Sequence, residues 1–168
     1  MERLVTQMLQ MSRLDATEQL PTPQPVNWAH VVEQAVSDVL PLSDQRHVEM
    51  ICEAPKDPNT VLPVRGDPVL MGVLTRNLLD NAVRYAQAHS SVEIRLSPTS
   101  VEIINRVTGQ ASERIARWGE RFHRPPGAVQ TGSGLGASIV QRVAMLHGLD
   151  VQVQAPDEHH ISVRLTKA

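Results

Sequence analysis

Residues 70–85 read LMGVLTRNLLDNAVRY, and the period of this stretch decides the architecture. Leu70, Leu74, Leu78 and Ala82 recur every four positions and predict one buried helical stripe. Asn77, Asn81 and Tyr85 recur at the same interval on an adjacent stripe. Arg76, Asp80 and Arg84 form a third, charged stripe that reads as solvated. Asparagines beside an apolar stripe are unusual, because Asn is a poor interior helix former and costs free energy when buried without partners. A hydrated Mg²⁺ on nucleotide phosphates would need such neutral amides, since Mg²⁺ takes oxygen ligands and keeps several waters. The other reading is an ordinary amphipathic helix with half-exposed amides.

Upstream of this helix, Gly66-Asp67-Pro68 reads as a turn, with Asp67 as N-cap and Pro68 at the first helical position. Residues 61–64 read as a short strand, and residues 47–53 alternate as another. Asn27 caps a helix over 28–40 that is expected to stop before Pro41. PTPQP, residues 21–25, cannot be helical and reads as a short stiff linker. Before it, MERLVTQMLQMSRL carries Leu4, Met8 and Met11 at helical spacing with Val5 and Leu9 alongside. That face wants a partner, either this chain's own domain or the same helix of a second copy.

Downstream, residues 91–96 and 100–105 form a predicted hairpin around Ser-Pro-Thr. Residues 112–119 predict a short helix, 122–132 a loop, and 134–147 a helix closed by Gly148 at C′. Residues 151–154 and 161–165 alternate as final strands. The order predicts an α+β two-layer sandwich, one sheet covered by helices on one face. The expected division is a helix tail over 1–20, a linker over 21–25 and a folded domain over 26–168.

The 168 residues are 41% hydrophobic but only 2% aromatic, so the core must be built from Leu, Val, Ile and Ala. A formal net charge of -2 creates no strong field for nucleic acid or an anionic membrane surface. The single cysteine, Cys52, cannot form an internal disulfide and fits a reducing compartment. No apolar run approaches the roughly 18 residues of a membrane span, and no secretory signal pattern opens the chain.

The second informative stretch is TGSGLGASIV, residues 131–140. Gly132, Gly134 and Gly136 open an apolar helix. Glycine lets backbone amides approach an anion, and a helix N-terminus adds free N–H groups and a positive dipole end. Taken alone, such a loop also often does no more than turn the chain.

NLLDNAVRYA (77–86), GERFHRPPG (119–127) and TGSGLGASIVQRVAMLHG (131–148) occur in that order. Together they resemble the N, F and G2 boxes of the catalytic ATP-binding domain of bacterial sensor histidine kinases, a branch of the GHKL ATPase superfamily. The likeness covers about residues 26–165 and is closest to the quorum-sensing-type sensor kinases of proteobacteria. Residues 1–15 also look like the tail of the dimerisation helix in those kinases. The resemblance implies a Bergerat α/β sandwich with a mixed sheet. It implies histidine protein kinase activity with ATP and Mg²⁺ as cofactors. Its partners would be the chain's own phosphoacceptor and dimerisation domain and a cognate response regulator. The full-length protein would be a homodimer at the bacterial inner membrane, with this part in the cytoplasm.

The resemblance also implies residue roles. Asn77 and Asn81 would serve catalysis at the nucleotide, with Asn81 the Mg²⁺ ligand. Arg84 would neutralise phosphate charge, and Tyr85 would pack against adenine or ribose. Phe122 would sit in the ATP lid, with Arg121 and Arg124 near the phosphates. Gly132, Ser133, Gly134, Leu135 and Gly136 would line the triphosphate.

The G1 box departs from the family pattern of an aspartate followed by Asn-Gly-Pro-Gly. The matching positions are Asn105, Arg106, Val107, Thr108 and Gly109, so only the last glycine survives. The family's aspartate accepts a hydrogen bond from the adenine amino group. Asn105 offers a neutral amide oxygen instead, a loss of about 1 kcal/mol. Val107 is expected to resist φ > 0 and to crowd the adenine edge. Weakened ATP binding is the expected result, and the alternative function is a degenerate kinase domain acting as a regulatory module. None of the histidines at 30, 47, 89, 123, 147, 159 and 160 stands in the family's phosphoacceptor motif. The phosphoacceptor is expected upstream, in a longer membrane sensor.

Overall fold

The computed structural model describes residues 2–20, 22–116, 118 and 134–168, with side chains from Val5 onward. The predicted central helix forms as α3, Pro68–Tyr85. The Asp67 carboxylate accepts the N–H groups of Val69 and Leu70, and Pro68 takes the first turn, where its missing N–H costs nothing. Leu74, Leu78 and Ala82 are buried as the stripe requires, and Met71 and Leu79 widen it.

A five-stranded mixed sheet, in the order β2-β4-β5-β7-β6, lies beneath the helices. Its strands are β2 (Glu49–Glu53), β4 (Ser91–Leu96), β5 (Ser100–Arg106), β6 (Leu149–Gln154) and β7 (His160–Lys167). The β4–β5 pair is antiparallel, as the hairpin expected around Ser-Pro-Thr requires, and β6–β7 is antiparallel too, whereas β2 joins β4 in parallel. Val92, Ile94, Val101, Ile103, Val163 and Leu165 all point to one face and are buried. The helices covering that face are α2 (Trp28–Arg46), α3 and α5 (Gly136–Leu146); α4 is a single short turn, Ala111–Ile115. The opposite face carries Glu93, Arg95, Glu102 and Arg164, with Arg164 and Ser162 both donating to the Glu102 carboxylate.

Two elements differ from the sequence expectation. Helix α2 does not stop at Pro41 but runs through it to Arg46 and ends on His47 in the left-handed region, φ 53°. Ser37 and Pro41 lie on the exposed side, so the carbonyl that Pro41 cannot serve faces water. Continuing the helix brings buried Ser43 to donate its hydroxyl to the Val48 carbonyl. Residues 61–64 are not a strand; the short strand is β3, Arg65–Gly66, paired with β1, Gln24–Pro25, inside the segment read as linker. Val61 and Leu62 are instead buried plugs. Trp28 Nε1 donates to the Leu62 carbonyl at 2.9 Å, and the Leu62 N–H donates to Ser97 O at 3.0 Å.

The first helix, α1 (Glu2–Ala16), takes the intramolecular partner: Met11 and Leu14 are buried, and α1 packs on α5. Val5, Met8 and Leu9 stay exposed on its other side.

His147, at the end of α5, is buried and ties the helix layer together. Its Nε2 accepts the Asp67 N–H at 3.0 Å, so Nδ1 carries the proton and donates to Val143 O at 2.7 Å. Gly66 leaves room for this ring: a Cβ there would stand 2.6 Å from Nε2 and closer still to Cδ2. Gly66→Ala should therefore cost about 2 kcal/mol through overpacking, read from urea unfolding. An unchanged midpoint would show that His147 can swing away freely.

Candidate functional site

The site is built where α3 meets the N-terminus of α5. One turn apart on α3, Asn77 and Asn81 present their amides to the same glycine. A Cβ placed on Gly136 would lie 3.2 Å from Asn77 Oδ1 and 3.2 Å from Asn81 Oδ1. The helical period thus brings the amides together, and the absence of a side chain at Gly136 lets α5 approach them. Gly134, with φ 71°, makes the backbone turn that aims α5 at this point. Leu135 between them is buried, and its carbonyl accepts the Ser138 hydroxyl at 2.8 Å.

The amides differ in how they are held. Asn77 is buried; its Nδ2 donates to Val73 O at 2.8 Å, which turns its oxygen outward. That oxygen accepts Gln7 Nε2 of α1 at 3.3 Å. Asn81 is half-buried. Tyr85, next on the stripe, is half-buried in the last turn of α3.

Arg84 does not belong to a solvated stripe. Its side chain is 14% exposed, and its Nε donates to Asp80 Oδ2 at 2.7 Å, while Arg76 on the same stripe remains 62% exposed. The guanidinium expected to neutralise phosphate charge thus carries the Asp80 carboxylate beside it, one turn away on α3.

Asn105 lies on the helix-facing side of β5 and is 5% exposed. Its Nδ2 is buried without a hydrogen-bond partner. Val107 corrects the sequence reading: it is not among the residues with positive φ. It sits in an antiparallel bridge with Ala86, donates its N–H to His159 O at 2.7 Å, and is buried in the core. The left-handed position belongs to Gly109, φ 84°. Val107 is thus a packing residue, and no strain arises at it. Phe122, Arg124, Gly132 and Ser133, with Arg121, lie outside the described residues.

Contacts invisible to sequence periodicity complete the surroundings. Arg142 of α5 donates to the carbonyls of Leu14 (3.0 Å) and Thr17 (2.7 Å), fastening the end of α1. A charged residue within the apolar helix α5 was the only available signal for it, and Gln7 gave none. Cys52 is exposed on β2, and local desolvation, then the Glu53 carboxylate, pushes its thiol pKa up, which disfavours a nucleophilic thiolate. Among the described residues, no group of three or more His, Cys, Asp or Glu side chains could hold a metal.

Comparison with known proteins places the chain among relatives of a known family. The profile of the histidine kinase-, DNA gyrase B- and HSP90-like ATPases matches residues 66–167. The sensor protein QseC of Escherichia coli (strain K12) is 40% identical over 152 residues, covering 89% of this chain and 33% of that protein. The sensor-like histidine kinase SenX3 of Mycobacterium bovis is 32% identical over 157 residues, covering 89% of this chain and 37% of that protein. The chain therefore spans about a third of the length of these curated relatives. The solved cytoplasmic segment of histidine kinase QseC superposes with a TM-score of 0.69 at 24% identity, covering 99% of this chain and 91% of that one, which supports the fold.

Proposed function

The chain belongs to the family of histidine kinase-, DNA gyrase B- and HSP90-like ATPases, and from that premise we propose that it is the catalytic ATP-binding portion of a two-component sensor histidine kinase. The observation that carries this reading is the convergence of Asn77 and Asn81 on Gly136. It offers neutral oxygens beside a helix N-terminus whose N–H groups favour anions. The chemistry of this donor set fits Mg²⁺-ATP, and the unpartnered Nδ2 of Asn105 fits a purine edge. Asn81 would hold the Mg²⁺, Asn77 would brace it, and Gly134, Leu135 and Gly136 would follow the phosphates. Gly109 and Tyr85 would border the base or ribose. Phe122, Arg124, Gly132 and Ser133 complete the proposed set. Bound Mg²⁺ would supply charge neutralisation at the transferring phosphate.

The residues of this chain contribute positioning. Two amides on successive turns of one helix present their oxygens to the same point, that of Asn77 while holding Gln7, and α5 is fastened through His147 and Arg142. Phosphoryl transfer gains mainly from such placement. The phosphate acceptor is a histidine outside this chain, on the chain's own dimerisation domain, and the next acceptor is a cognate response regulator. We place this portion on the cytoplasmic side of a bacterial inner membrane, in a homodimeric sensor. No helix among the described residues is long and apolar enough to cross a membrane. The expected division at 21–25 stands as part of this proposal.

A second reading, a regulatory module that has lost the nucleotide, is favoured by one observation, the neutral Asn105 where the family carries a carboxylate. Calorimetry with Mg²⁺ and a non-hydrolysable ATP analogue decides between them. Saturable heat is expected; no heat at millimolar ligand would favour the regulatory module.

A further inference from the structure

Asn105 is buried on the helix-facing side of β5, and its amide nitrogen lacks the partner that the amide of Asn77 has. Asn77 bonds to Val73 and Gln7, whereas Asn105 Nδ2 has no partner. The residues paired with it on the flanking strands are Val92 and Ile161, both buried and apolar, so neither side chain supplies an acceptor. Val101 and Ile103, which precede it on the same face, are core. Val107, which follows, closes the end of α3 through its bridge to Ala86. A polar group in such surroundings costs folding free energy unless something else completes its bonds.

We infer that Asn105 gives the site a relaxed purine specificity, accepting 6-oxopurine nucleoside triphosphates (hypoxanthine or guanine) alongside adenine. The inference rests on the nucleotide reading above and names the substrate class of that same site. Adenine presents an amino donor at C6 beside the N1 acceptor. A 6-oxopurine presents the O6 acceptor beside an N1–H donor. A carboxylate only accepts, so it welcomes the amino group and repels O6. An amide carries an acceptor and a donor in one rigid plane, and a half-turn about χ2 exchanges them. Asn105 therefore meets either edge with two hydrogen bonds, while a carboxylate meets only one. The orphaned donor, Nδ2, is the atom that a carboxylate lacks.

The test is calorimetry on this chain with the Mg²⁺ complexes of non-hydrolysable ATP and ITP analogues. Inosine differs from adenosine only at the C6–N1 edge, so no 2-amino group confuses the comparison. The expected result is a pair of dissociation constants within about tenfold of each other, and a wider gap in favour of ATP, by about tenfold to a hundredfold, in Asn105→Asp. A preference of the unaltered chain for ATP beyond about tenfold overturns the inference, as does an unchanged ratio in a folded Asn105→Asp variant. Should Asn105→Asp fail to fold, the ratio in the unaltered chain decides alone. Binding of the ATP analogue alone removes only this inference. Silence from both analogues removes the nucleotide reading together with it.

Discussion

Asn81→Ala should weaken binding of a Mg²⁺-nucleotide by about a hundredfold, since even groups that merely support a metal's ligands are worth 10–100-fold. The same variant should bind the metal-free nucleotide, measured in chelator, as the parent does. Stability should hold or rise slightly, because Asn81 is half-buried and Ala is the better helix former by several tenths of a kcal/mol, roughly. This separates Asn81 from Asn77, whose amide is bonded to Val73 and Gln7, so that its loss would disturb packing as well. Equal affinity of Asn81→Ala and parent for the Mg²⁺ complex would remove Asn81 from the metal.

The second large effect is expected at Gly136. A Cβ added there would lie 3.2 Å from both amide oxygens and 3.3 Å from Asn81 Nδ2. The branched side chain of Val must push the amides apart or lift α5. Gly136→Val should reduce nucleotide affinity by about a hundredfold, equivalent to losing one charge-assisted contact of roughly 3 kcal/mol. Gly72→Ala is the control: Gly72 lies in α3, and nothing stands within 4 Å of the place its methyl group would take. That variant should gain about 0.5–1 kcal/mol of stability and leave binding alone. Melting and titration of the pair tell the outcomes apart. If Gly136→Val binds as the parent does, the contact between α5 and the asparagines is not the nucleotide site.

Local signals made α3 legible. Asp67-Pro68 marks its start, a period of four marks its buried face, and the same period puts Asn77 and Asn81 on one side. The β4–β5 pair was legible from β-like runs on either side of Ser-Pro-Thr, and the β6–β7 pair from alternation about a polar turn. Features decided by the packing around a residue, near or distant in sequence, were not. Pro41 stays inside α2 because the Ser37 carbonyl that it cannot serve lies on the exposed side and Ser43 finds Val48. Val61 and Leu62 look like a strand by composition, yet Trp28 and Ser97 hold Leu62 as a plug. Arg84 reads as solvated from its stripe, but Asp80 draws it into a clasp. Val107 reads as strained only if it is assigned the glycine's backbone, and Gly109 carries that conformation instead. The site's amides and glycines were visible as motifs. The contact of Gln7 with Asn77, across 70 residues, had no local trace.

That contact has a mechanical consequence. The oxygen that would face an incoming ligand is held by a group on α1, and the far end of α1 is latched by Arg142 to the helix that opens the phosphate cradle. Loading the cradle and seating the lever are therefore a single balance, and coupling of this kind acts equally in both directions. A displacement of α1 would move the group bonded to Asn77 directly.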